Sequence, residues 1–178
     1  AARADVVVLA LGTDTTMARE ALDATSIRLT PAQTLLAERV VAAATRPVVV
    51  VVVTATPLDV SDLLESPKVG AVFHVGQPSK TILGLGDLLY GDRSPAGRAI
   101  QTVYPRAYED MISIFDFNMR PGPSPFARPD CVANESDCPR GTNPGRTYRF
   151  YVDDPVVPYG FGLSYTSFTY AVVSAPTA

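Results

Sequence analysis

Val48-Val-Val-Val-Val-Val53 is a run of six valines between Arg46-Pro47 and Thr54. Valine is branched at Cβ and favours extended backbone. Because the run is apolar at every position, it is typical of a strand buried on both faces, as in parallel sheets. It is far shorter than the roughly 20 residues that a membrane-spanning helix needs. The run therefore predicts a buried strand of a parallel sheet, and we expect no membrane partner.

The residues before this run complete a strand–helix–strand unit. Residues 5–11 form another continuous apolar stretch, which ends at Gly12 and predicts a second buried strand. Thr30-Pro31 then predicts the start of a helix, because threonine caps a first turn and proline suits the first helical position. Gln33 stands where it would complete a capping box with Thr30. Arg46-Pro47 predicts the end of this helix.

The remaining segments continue the alternation and then depart from it. We predict a helix within residues 57–65, a strand at 69–75, a helix at 81–90 and strands at 99–103, 148–151 and 161–173. Residues 120–147 are rich in Pro, Gly, Asp and Asn and predict a long surface loop. The order predicts an α/β domain: a three-layer sandwich around a mostly parallel sheet, with a long irregular loop and C-terminal strands.

Length and composition narrow the possible functions. The 178 residues form one predicted domain, 1–178, and are too few for a complete (β/α)₈ barrel of about 250 residues. The net charge is −3 and no basic cluster is visible, so nucleic acid is not an expected partner. One histidine and two cysteines do not predict a zinc site, and we expect no metal and no cofactor. The first five residues lack a signal-peptide pattern, and we expect a domain excised from a longer protein.

Two cysteines enclose a short polar loop, Cys131-Val-Ala-Asn-Glu-Ser-Asp-Cys138. Asn134-Glu-Ser136 within it is an acceptor pattern for N-glycosylation. A disulfide loop that carries this pattern predicts a secreted or extracellular protein. The alternative is two free thiols and a chance tripeptide.

The segment from Gly12 to Asp23 follows the first predicted strand and carries unusual charge. Ligands of open parallel sheets collect beyond the carboxyl ends of the strands. Asp14, Glu20 and Asp23 are therefore candidates for a general acid or base, and Arg19 for a contact with substrate. The alternative is a solvated loop whose aspartates serve turns and caps.

Several blocks of the sequence, read together, resemble the second domain of family 3 glycoside hydrolases, especially the β-xylosidase and α-L-arabinofuranosidase branch. These blocks include Gly12-Thr-Asp14, Glu20-Ala-Leu-Asp23, Tyr90-Gly-Asp-Arg-Ser-Pro-Ala-Gly-Arg98, Asn118-Met-Arg-Pro121, Asn143-Pro-Gly-Arg-Thr-Tyr-Arg-Phe-Tyr151 and Pro158-Tyr-Gly-Phe-Gly-Leu-Ser-Tyr165. The resemblance implies a retaining glycosidase that acts on β-linked oligosaccharides or glycosides. It also implies that an N-terminal barrel outside this chain carries the nucleophile, while this domain lends the acid/base from a loop.

The resemblance implies Glu20 as the candidate acid/base, with Asp14, Arg19 and Asp23 as candidates for the substrate cleft. The sequence departs from the family pattern in the same loop. Ala18 occupies the position of the first of two glutamates, and Ala24 that of an arginine. This departure leaves a second hypothesis open, a degenerate, non-catalytic carbohydrate-binding or scaffold module. On either hypothesis the isolated chain is expected to be inactive, because retention needs two carboxyl groups.

Overall fold

A computed structural model describes residues 1–134 and 136–175 of the chain. The elements in order are β1 (Val7–Gly12), α1 (Pro31–Ala43), β2 (Val48–Val53), α2 (Ser61–Glu65), β3 (Val69–His74), a 3₁₀ turn (Lys80–Leu83), α3 (Gly84–Leu89), α4 (Ala107–Met111), β4 (Gly122–Ala127), β5 (Arg140–Asn143) and α5 (Thr147–Phe150). The α/β class is confirmed. Within the described ranges no helix is long and apolar enough to cross a lipid bilayer.

The valine run is a buried strand of a parallel sheet, as predicted, and the order β1-β2-β3 places it at the centre. Its register pairs Leu9 with Val50 and Leu11 with Val52, so these four side chains lie on one face. Val50 and Val52 are completely buried in the main core. The residues that cover this face include Ala37 from α1, Leu63 from α2 and Leu58 and Val60 from the intervening connection. The core therefore holds together the elements that flank the β1–α1 loop.

The predicted surface loop at residues 120–147 contains an antiparallel hairpin, so that prediction was incomplete. β4 and β5 pair from Gly122 opposite Asn143 to Ala127 opposite Arg140. The hydrophobic periodicity that marks most strands is missing, because β4 is the sequence Gly-Pro-Ser-Pro-Phe-Ala. An interruption of the pairing register between Pro123 and Ala127 accommodates the prolines, which have no N–H to donate.

The three other predicted strands are wrong. Residues 99–103 contribute an isolated bridge from Val103 to Val157 rather than a sheet strand. Residues 148–150 belong to α5 and Tyr151 follows its end, because the chain folds back after Gly145; a Cβ at that glycine would lie 2.0 Å from the Phe150 carbonyl oxygen. Residues 161–173 carry no strand assignment. The predicted helix at 81–90 is divided between the 3₁₀ turn and α3.

Candidate functional site

The loop that carries the predicted acid/base residue begins at Gly12, where β1 ends. The Gln33 side chain accepts the Gly12 N–H at Oε1 (2.9 Å) and donates from Nε2 to the Gly12 carbonyl (2.8 Å). Thr30 accepts the Gln33 N–H, as expected of a cap. The predicted capping box is therefore only half formed, since the Gln33 side chain holds β1 instead of returning to Thr30.

Two threonines join the ends of neighbouring strands next to this loop. The Thr13 N–H donates to the Val53 carbonyl (3.0 Å), and the Thr13 and Thr54 hydroxyls lie 2.9 Å apart. Thr54 is fully buried, and its hydroxyl also contacts the backbone of Thr56. These bonds fix the first residues of the loop at the carboxyl edge of the sheet. Sequence reasoning did not identify this structural role of Thr54.

Asp14 acts as a turn residue in the folded chain. Its Oδ1 accepts the Thr16 hydroxyl (2.6 Å) and the Thr16 N–H (2.7 Å). The bond from the Thr16 hydroxyl, followed by the bond from the Thr16 N–H, holds the pKa of the exposed Asp14 carboxyl below its ordinary value. A carboxyl with a lowered pKa is a poor general acid near neutral pH. The geometry therefore favours the structural role for Asp14.

A tight turn displays Glu20 at the surface. Arg19 and Leu22 exchange both backbone hydrogen bonds, each 2.9 Å, which leaves Glu20 and Ala21 at the centre of the turn. Ala21 has a φ of +62°, a left-handed conformation that glycine adopts more readily than alanine. The Arg19 guanidinium donates to the Thr15 carbonyl (2.9 Å). Arg19 thus braces the loop in this structure and does not approach the Glu20 carboxylate as an ion-pair partner.

Glu20 and Asp23 are both exposed, three residues apart in the same loop. Within the described parts of the chain, neither carboxylate accepts a hydrogen bond or forms an ion pair. Ala18, half-buried beside them, presents only a methyl group where the family pattern has a glutamate. An exposed carboxyl can deliver a proton, but retaining hydrolysis also needs a second carboxyl about 5–5.5 Å away.

The cysteine loop folds into a covalent ring. Cys131 and Cys138 form a disulfide with their Cα atoms 5.8 Å apart. Asn134 lies between them with an exposed side chain, and Glu135 of the acceptor pattern lies outside the described residues. The ring precedes β5 and lies in sequence far from the β1–α1 loop.

The sequence block 143–151 contributes Asn143 and Arg146 to a buried polar cluster that sequence reasoning missed. The Arg146 guanidinium donates to the Asp116 carbonyl, and Asn143 donates to the Asn118 carbonyl (2.7 Å). Asp116 is fully buried; burial alone would raise its pKa, but hydrogen bonds led by the Asn118 N–H outweigh it and lower the pKa. The signal that could have indicated this cluster is the sequence Asn143-Pro-Gly145-Arg, because Asn, Pro and Gly in succession are typical of a turn.

The residues that the structure describes contain no group of three or more His, Cys, Asp or Glu side chains placed to hold a metal ion. The geometry thus defines an α/β domain whose β1–α1 loop lies at the carboxyl end of the parallel sheet. Backbone hydrogen bonds hold the start of this loop, and the loop exposes the carboxylates of Glu20 and Asp23. Comparison with known proteins identifies the family. A family model described as the glycosyl hydrolase family 3 C-terminal domain matches residues 1–165, and the chain belongs to this family. The resemblance inferred from the sequence blocks is confirmed.

The similar proteins are much longer than this chain. Exo-1,4-β-xylosidase bxlB of Emericella nidulans is 38% identical over 94% of the chain but only 20% of its own length. β-D-xylosidase 1 of Arabidopsis thaliana is 32% identical over 100% of the chain and 21% of its length. The solved structure of a family 3 exo-β-xylosidase in complex with a xylobiose aziridine probe matches 93% of the chain at 31% identity with a TM-score of 0.77, and 19% of that structure is covered. The chain therefore spans about one fifth of its relatives.

Proposed function

We propose that this domain is part of a longer retaining glycoside hydrolase that removes terminal β-linked xylose or glucose units from xylan-like or other glycans. In this proposal the β1–α1 loop supplies the acid/base and Glu20 is the residue that transfers the proton. The observation that carries it is the display of Glu20 on a turn closed by two Arg19–Leu22 backbone bonds, beside strand ends joined through Thr13 and Thr54. The β-xylosidases among the relatives supply the expected substrate class.

The proposed mechanism divides two carboxyl groups between two domains. A carboxylate on a barrel domain outside this chain attacks the anomeric carbon while the Glu20 carboxyl protonates the departing glycosidic oxygen. The Glu20 carboxylate then takes a proton from the water that hydrolyses the glycosyl-enzyme intermediate. Closure of a cleft over the exposed loop would exclude bulk water from the reacting bonds.

The decisive experiment replaces Glu20 in the full-length protein. Glu20→Gln should lower kcat/KM by about 10²–10⁴-fold for aryl xylosides with poor leaving groups, and much less for activated ones that leave without a proton. Glu65→Gln is the matched control, because Glu65 is an exposed glutamate at the end of α2, and α2 packs against β3 rather than against β1, where the loop begins. An unchanged dependence on the leaving group would remove Glu20 from the mechanism. The isolated 178-residue chain should hydrolyse no aryl xyloside.

The second candidate function is a non-catalytic carbohydrate-binding or scaffold module, and Ala18 is the observation that favours it. If the family's proton donor is the first glutamate of the pair, the methyl group of Ala18 leaves the loop without an acid. In that case the full-length protein binds xylo-oligosaccharides without turnover, and Ala18→Glu restores hydrolysis. Normal turnover by the unmodified full-length protein would dispose of this alternative.

We also propose that the parent protein is secreted and glycosylated at Asn134. The support is the Cys131–Cys138 disulfide, which persists in oxidising compartments, and the exposure of Asn134 between the two cysteines. Expression through a eukaryotic secretory pathway should yield protein whose mass falls on treatment with a peptide N-glycosidase. Asn134→Gln should abolish that fall in mass; persistence of the shift would place the glycan elsewhere.

A further inference from the structure

The far end of the β1–α1 loop is bound to α4 by one carboxylate. Glu109 Oε2 accepts the Ile27 N–H (2.7 Å) and the Ser26 hydroxyl (2.9 Å), and Glu109 Oε1 pairs with the Arg28 guanidinium. Three consecutive residues of the loop thus donate to a single side chain that is more than 80 residues away in sequence. Contacts of such long range fix one segment relative to another in the folded state only.

A second carboxylate strengthens this attachment. Arg28 Nη2 donates to both oxygens of Asp110 at 2.9 Å, so the guanidinium spans two adjacent acids. Burial by itself would lower the pKa of Arg28, but Glu109 and Asp110 outweigh it and raise the pKa. The Glu109 side chain is 21% exposed and its partner Arg28 is 42% exposed, against 55% and 65% for the surface pair Arg106–Asp62. Because Glu109 is mostly covered and also accepts the Ile27 N–H, its charge-assisted bonds hold the segment more firmly than one exposed ion pair would.

The two ends of the loop are therefore anchored by different parts of the fold. Gln33 and Val53 hold Gly12 and Thr13 at the start. At the end, Glu109 holds residues 26–28, and the Asp59 N–H also donates to the Ile27 carbonyl (2.7 Å). The turn that displays Glu20 lies between these anchors. Its own bonds, those between Arg19 and Leu22, close the turn but do not attach it to the rest of the domain.

We propose that Glu109 is a positioning residue for the acid/base loop: it fixes the end of the loop on α4 so that Glu20 keeps one place relative to the sheet. The inference rests on the proposed function for its catalytic consequence, because a displacement of about 1 Å at a proton donor can cost about 10²-fold in rate. Its structural part, a loop held by Glu109, stands on the contacts alone.

Hydrogen exchange on the 178-residue chain tests the structural part without any activity. Glu109→Gln and Glu109→Ala should accelerate amide exchange in residues 14–27 by about tenfold or more, the factor expected for losing a charged hydrogen bond, with Ala the larger. Asp62→Asn is the matched control, since it removes the ion pair to Arg106 at the start of the same helix but no bond to the loop. The proposal would be overturned if the loop amides of the Glu109 variants exchanged no faster than those of Asp62→Asn. It would also be overturned if the amides of β2 exchanged faster by the same factor as those of the loop.

Kinetics of the full-length protein test the catalytic part. Glu109→Gln should lower kcat for poor leaving groups by about tenfold, leave KM within about twofold and spare activated substrates, as Glu20→Gln does. A purely structural defect would lower kcat for every substrate in the same proportion, and that result would refute the positioning role. If Glu20→Gln has no effect on the leaving-group dependence, the proposed function fails while the exchange experiment still decides whether Glu109 holds the loop.

Discussion

Substitution of Gly12 should separate β1 from β2 at the point where the β1–α1 loop begins. Gly12 has a φ of +155°, and an added Cβ would lie 1.9 Å from the Val53 carbonyl oxygen and 2.7 Å from its carbon. Both obstacles are backbone atoms of the central strand, so no side chain can rotate to make room. Gly12→Ala must therefore shift one strand by more than 1 Å, well outside ordinary contact tolerance.

The magnitude follows from two contributions. Backbone strain at a conformation that L-residues rarely adopt costs about 1–3 kcal/mol. Displacement also weakens the Thr13 N–H to Val53 bond and the two bonds between Gln33 and Gly12, at about 1 kcal/mol each. A total loss of about 4–6 kcal/mol is a large part of the roughly 5–15 kcal/mol that stabilises a typical domain.

Urea unfolding of the purified chain measures this loss. With a slope of about 2 kcal/mol/M, Gly12→Ala should lower the midpoint by about 2–3 M. Gly86→Ala is the matched control, because Gly86 lies inside α3 with no atom within 4 Å of an added Cβ; it should raise stability by about 0.5–1 kcal/mol. A midpoint for Gly12→Ala within 0.3 M or so of the parent chain would refute the steric argument.

Three further predictions concern other parts of the chain. Ala21→Gly should stabilise the chain by about 0.5–1 kcal/mol in urea unfolding, because glycine relieves the strain of the positive φ in the Glu20 turn; a loss of stability would contradict this. Replacing Cys131 and Cys138 by serine should cost about 2 kcal/mol by the same assay, the loop entropy for a separation of 7 residues, and an unchanged midpoint would show that the ring does not constrain the unfolded chain. Burial raises the pKa of Tyr108 to about 12, so an unfolded chain releases this proton near pH 10 while the folded chain retains it. Stability should accordingly fall by about 2–3 kcal/mol between pH 10 and 12, and Tyr108→Phe, measured over the same range, should show a shallower fall.

The parallel sheet could be predicted because its signals are local. Val48–Val53 is apolar at every position, and Thr30-Pro31 marks the start of α1, whose first residue is Pro31. The hairpin of β4 and β5 could not be predicted in this way, because Gly-Pro-Ser-Pro carries turn composition and becomes a strand only through its partner. The strand predicted at 148–151 failed for a related reason: the reversal at Gly145 outweighs the β propensity of its aromatic residues.

The candidate loop shows the same division. Its place after a buried strand and its charged residues were visible in the sequence, and they led to Glu20. The sequence did not show that Asp14 and Arg19 have structural roles, because Asp14 accepts from Thr16 and Arg19 donates to Thr15 only in the folded turn. Gln33 was predicted to cap its own helix, yet in the fold it contacts β1 instead.

The sequence by itself determined the family, the strand–helix order around the valine run and the loop in which Glu20 stands. It could do so because apolar runs, caps and family blocks are properties of neighbouring residues. The tertiary structure alone decided how that loop is held. Glu109 meets Ser26, Ile27 and Arg28 across more than 80 residues of chain, and no local pattern encodes a contact that exists only after α4 packs beside the loop.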